Sequence, residues 1–117
     1  MTKRMLIGIV IAGFMTAILA GALMSPSTFA GNKHVSEAIE HAKEAVEHGN
    51  QGHADALTEH AEGALKHAKA AQKDMKNPHL DEGVKHLEEA VSHGKAGHAD
   101  VGTKHAKEAV MHLSEVK

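Results

Sequence analysis

The stretch HVSEAIEHAKEAVEHGNQGHADALTEHAEGALKH, residues 34–67, carries two periods at once. The first is helical: with Val35 at zero and 100° per residue, Ala38, Ile39, Ala42, Ala45 and Val46 fall in one apolar stripe, and Glu40, Lys43 and Glu47 lie away from it. The second is a seven-residue return of histidine, at His34, His41 and His48 and, past a Gly-rich break, at His53, His60 and His67. A helix gains no stability of its own from imidazole at that interval. Gly49 suits the left-handed conformation that ends helices, so Gly49-Asn50-Gln51-Gly52 predicts a tight connection. A second helix is expected from about His53 to Met75, with Ala54, Leu57, Ala61, Ala64, Leu65 and Ala68 as its stripe.

Asn77-Pro78 breaks the chain and starts another helix: Asn77 is a good N-cap, Pro78 fits the first helical position, and Asp81-Glu82 occupy the first turn, where the helix dipole favours acids. The pattern then repeats. His79, His86, His93, Gly94, Gly97, His98, His105 and His112 each lie 45 residues after His34, His41, His48, Gly49, Gly52, His53, His60 and His67. Aligning residues 34–72 with 79–117 gives 17 identities in 39 positions, so the region is a tandem duplication of a helical hairpin. The predicted fold is all-α, an antiparallel four-helix bundle of two hairpins, at about residues 33–76 and 78–117.

Residues 1–30 read differently. Thr2-Lys3-Arg4 is a short basic stretch, Met5 to Met24 is almost wholly apolar, and Ser25 to Ala30 is polar and small. This is the pattern of an export signal cleaved after Ala30. Twenty apolar residues would also span a bilayer as a retained anchor, but Pro26 and the Thr-Phe-Ala ending favour cleavage. The expected mature domain is residues 31–117, exported and free of the membrane.

Losing Lys3 and Arg4 leaves 11 cationic residues against 15 acidic ones, a net charge of −4 with histidine neutral. No arginine remains, the lysines alternate with acids, and both phenylalanines, Phe14 and Phe29, belong to the leader. Without a basic patch or a stacking platform, nucleic acid is excluded as an expected partner. Cysteine is absent, so there is no thiolate site. The apolar content is Ala and Val with a few Leu, one Ile, and Met75 and Met111 as gap fillers, so the metal-free fold should have a small margin of stability.

The histidines sit at the edge of the stripe, in heptad position g when Val35 is a. Each hairpin is numerically symmetric about its turn, so folding it back sets His48 opposite His53, His41 opposite His60 and His34 opposite His67. The second hairpin repeats this with His93 and His98, His86 and His105, and His79 and His112. Small stripe residues permit close approach of the helices, and successive pairs would stand about 10 Å apart as separate rungs. Glu37, Glu44, Glu82, Glu89 and Glu108 each follow one histidine by three residues and precede the next by four, on the same side of the helix. They are secondary candidates, as ligands or as groups that orient an imidazole. The second helix carries Ala56, Gly63 and Ala70 at those positions.

Paired neutral imidazoles with a carboxylate and water form a donor set for Cu(II), Ni(II) or Zn(II). All twelve histidines are therefore candidate ligands. The chain has no H-x-x-x-H, no H-E-x-x-H of zinc peptidases and no E-x-x-H of di-iron bundles. Many similar sites suit capacity, whereas catalysis favours one sequestered, asymmetric site, so an enzyme is not expected.

The leader followed by Cys-free, Ala-rich H-x-x-E-x-x-x-H repeats resembles the small metal-binding protein family along the whole mature chain. The resemblance implies a monomeric, periplasmic helical bundle that binds several divalent ions, copper foremost, for sequestration or homeostasis, with the twelve histidines as ligands. A different class remains open: an interaction or scaffold protein opened by joint protonation of its histidines below about pH 6.5.

Overall fold

The computed structural model describes residues 26–117, with side chains from Gly31 onward. Residues 1–25 of the expected leader lie outside the described residues. Four helices follow: α1 (Pro26–Asn50), α2 (Ala54–Asp74), α3 (Pro78–Lys95) and α4 (Ala99–Ser114). Each packs on two neighbours around the ring α1–α2–α3–α4, with slight contact across the α2–α4 diagonal. The described part of α1 includes residues 26–30, on the far side of the cleavage point expected after Ala30.

The two intra-hairpin turns are alike. In the first, the His53 amide donates to the His48 carbonyl at 2.9 Å and the Gly52 amide to the Gly49 carbonyl at 3.0 Å, with Gly52 at φ 80°. This is a Schellman closure. In the second, His98 donates to His93 at 2.8 Å and Gly97 to Gly94 at 3.0 Å, with Gly97 at φ 83°. The left-handed residues are thus Gly52 and Gly97, not Gly49. Gly49 is buried inside the last turn of α1, where a Cβ would collide with the Thr103 hydroxyl and Leu57 Cδ1; Gly94 stands the same way against Thr58 and Leu57. Residues 58 and 103 are themselves 45 apart, so the two hairpins approach each other through reciprocal Gly–Thr contacts at the turn end. Between the hairpins, the Asn77 side chain accepts from the His79 amide at 2.8 Å and the Leu80 amide at 3.4 Å, with Pro78 opening α3.

The core follows the expected stripes, with Val35, Ala38, Ala42 and Ala45 from α1 and Leu57, Ala61, Ala64 and Ala68 from α2 buried. Its largest fully buried side chains are Leu57, Leu80, Leu87 and Leu113. Near the turns, Leu57 packs with Ala45, Ala61, Ala90 and Ala106. A core this rich in alanine brings the helix axes close, and with them the residues at the stripe's edge.

Candidate metal centres

The edge position places all twelve histidines in two rows, one along the α1–α2 seam and one along the α3–α4 seam. His53 and His98, at the turns, are exposed, and the other ten are half-buried. Each expected partner faces its mate. Ring centroids are 5.6 Å apart for His34–His67, 6.0 Å for His41–His60 and 6.2 Å for His48–His53. In the second hairpin they are 5.8 Å for His79–His112, 5.6 Å for His86–His105 and 6.0 Å for His93–His98.

The separate rungs of the sequence expectation are not what the fold builds. His67 lies between His34 and His41, at 5.5 Å from the latter with the planes 10° apart, and His60 lies 5.0 Å from His48 at 6°. His86–His112 and His93–His105 are both 5.4 Å, at 8° and 4°. In each seam the two helices are staggered by about half a heptad, so each imidazole of one falls between two of the other. The result is a zigzag in which diagonal neighbours stack as closely as opposite ones.

Four groups of donor atoms converge among the described residues: His34, Glu37 and His67; His41, Glu44 and His60; Glu82, His86 and His112; Glu89, His93 and His105. In the first, Nδ1 of His34 and Nδ1 of His67 are 3.3 Å apart, and Glu37 Oε1 stands 3.7 and 3.2 Å from them. Glu44 Oε1 likewise lies 3.6 Å from His41 Nδ1 and 3.2 Å from His60 Nδ1. Two donors each about 2.0 Å from one ion at a tetrahedral angle stand about 3.3 Å apart, so these separations match the edges of a coordination polyhedron. Nδ1 of His41 and Nδ1 of His48 are buried without a hydrogen-bond partner, which a protein tolerates rarely and which suits a lone pair meant for an electrophile.

The hairpins differ in their carboxylates. Glu37 and Glu44 keep only 21% and 22% of their side-chain surface and bridge opposite histidines. Glu89, at 55% exposed, instead serves a diagonal, 3.9 Å from His93 Nε2 and 3.8 Å from His105 Nε2. Gly63 accounts for part of the difference, since a Cβ there would meet His41 Nδ1 at 3.3 Å; the glycine lets that ring lie over α2. Its counterpart 45 residues on is Glu108, which is exposed and joins none of the four groups. The sequence reading missed Glu115, whose Oε1 lies 3.5 Å from His79 Nε2. It follows His112 by the same three residues, but no further histidine follows it, so the longer repeat passes over it.

Burial pulls His60 and His67 below the ordinary imidazole value of 6.5. Glu44 and Glu37 act upward on them, and the neighbouring imidazoles, His48 and His41 foremost, act downward. The outcome is a neutral ring near pH 7, the state that coordinates metal.

A family model described as small metal-binding protein matches residues 7–116. The chain belongs to the small metal-binding protein family. A comparison with curated proteins returns no match. Membership of this family implies metal binding, and each of the four His–Glu groups brings together donor atoms that could hold an ion. Among the described residues no helix is long and apolar enough to cross a membrane.

Proposed function

We propose that the chain binds several borderline divalent ions at once, copper(II) foremost, and sequesters or buffers them in the periplasm after export through residues 1–30 as a monomer. The observation that carries this reading is the repeated convergence of two imidazole nitrogens and one carboxylate oxygen across a helix–helix seam. Nitrogen donors with carboxylate and water rank Cu(II) above Ni(II) and Zn(II) among first-row ions. A donor set repeated along two seams serves capacity, and binding rather than catalysis is the role it supports.

Equilibrium dialysis of residues 31–117 against Cu(II), Ni(II) and Zn(II), with ion counting, tests it. More than two and up to about six Cu(II) per chain are expected, two donors per ion being drawn from twelve histidines. A stoichiometry of one that does not rise at high ion concentration overturns the reading.

A further inference from the structure

We propose that each row of six histidines is one shared set of ligands, in which an ion has two alternative seats, between opposite or between diagonal imidazoles, with one imidazole common to both. This rests on the metal-binding reading above.

No gap divides one pair from the next. Along His34, His67, His41, His60, His48 and His53 the successive ring separations are 5.6, 5.5, 6.0, 5.0 and 6.2 Å. In the α3–α4 row they are 5.8, 5.4, 5.6, 5.4 and 6.0 Å. The two copies of the hairpin then divide the seats between them. In the first, the carboxylates complete opposite pairs; in the second, they complete diagonal ones. The repeat and turn are the same in both, so one backbone frame serves either seat, and carboxylate placement selects between them.

His105 holds both relations at once. Its Nδ1 is 3.3 Å from Nδ1 of the opposite His86, and its Nε2 is 3.8 Å from Glu89 Oε1, the oxygen that also faces the diagonal His93. An imidazole has two ring nitrogens on different edges, so His105 can give Nδ1 to an ion in the opposite seat or Nε2 to one in the diagonal seat, the bond to one nitrogen breaking as the bond to the other forms. Capacity is then set by how many adjacent imidazoles remain in a row, and an ion can move along the seam by exchanging one ligand at a time.

Two fourfold variants with the same number of histidines removed separate shared rows from fixed opposite pairs. H41A/H60A/H86A/H105A removes one opposite pair per hairpin and leaves two. H41A/H53A/H86A/H98A breaks two opposite pairs per hairpin, yet leaves in the first row His34 beside His67 and His60 beside His48, the latter at 5.0 Å. Cu(II) counted by equilibrium dialysis at neutral pH should be equal for the two variants, each near two-thirds of the unaltered chain. Half as many ions on the second variant as on the first overturns shared rows, while metal binding itself stands. One ion or none on the unaltered chain overturns the metal-binding reading instead. Circular dichroism establishes the helicity of each variant, and the same two variants built with glutamine give the comparison if alanine disturbs the bundle.

Discussion

At the seams, a single carboxylate decides how its histidines behave. Glu44 is mostly buried and stands 3.2 Å from His60 Nδ1, where its charge supports both a protonated ring and a bound cation. Removing that charge should weaken Cu(II) at this seat by about tenfold, the scale found when a group that ligates or orients a metal-bound histidine is lost. Glu44→Gln compared with Glu40→Gln in a competition titration checks this, Glu40 being exposed and away from the row. The ring itself should respond in the opposite sense to a simple loss of structure. Glu44 is the largest influence holding the His60 pKa up against burial, so in E44Q His60 should protonate at a still lower pH, read by its proton resonances. An unchanged titration would mean that the carboxylate is solvated and electrostatically idle.

At the scale of helices, the duplication survives packing only by breaking its own symmetry. Leu57 and Gly102 are equivalent residues, 45 apart, yet both sit at the turn end of the core. A Cβ on Gly102 would meet Leu57 Cδ2 at 3.1 Å and Cδ1 at 3.3 Å. One large side chain fills the space between the hairpins, and its counterpart is reduced to hydrogen. Within the second hairpin, Leu113 and Gly83 interlock in the same large-against-small way without being equivalent positions, with a Cβ at Gly83 only 2.7 Å from Leu113 Cδ2. Leu57→Ala should cost about 2–5 kcal/mol and Gly102→Leu alone about 1–3 kcal/mol through overpacking. Because the two share one volume, L57A/G102L should be more stable than the sum of the single changes by about 1 kcal/mol or more. Urea denaturation of the three variants measures it, and strict additivity would refute a shared volume.

The whole molecule couples its charge state to its fold. His60 and His67 have folded-state pKa values below 6.5, so between those values and 6.5 the unfolded chain binds more protons than the folded one, and stability rises with pH. Their contribution is complete above about pH 6.5 and is lost as pH falls through the folded values. Thermal melts of the metal-free chain should therefore show a midpoint that falls as the buffer is taken from neutral pH to about 5. Ions held between two helices act the other way, adding about 2.7 kcal/mol per site at a hundred times the dissociation constant. Cu(II) should raise the midpoint in stages at neutral pH and lose that effect in acid, where protons occupy the ring nitrogens. A bundle that opens with acid but melts at the same temperature with and without copper would favour the histidine-switch alternative.

The four helices, the 45-residue duplication, the buried stripes and the edge position of every histidine were legible in the residues alone. Those features are properties of angular period and chain order, which a sequence states directly: Val35 to Val46 and His34 to His48 fix their own faces whatever they pack against. The partner of each histidine was legible too, since a tight turn makes a hairpin symmetric about itself. The stagger was not. A shift of half a heptad leaves every residue on the same face, so no periodicity reports it; it is set by how the Schellman turns at Gly52 and Gly97 launch the returning helices and by how closely alanine lets them approach. For the same reason tertiary structure alone assigned Gly49 to close packing, gave Glu89 to a diagonal pair and found Glu115 beside His79, because each depends on distances between helices that chain order does not encode.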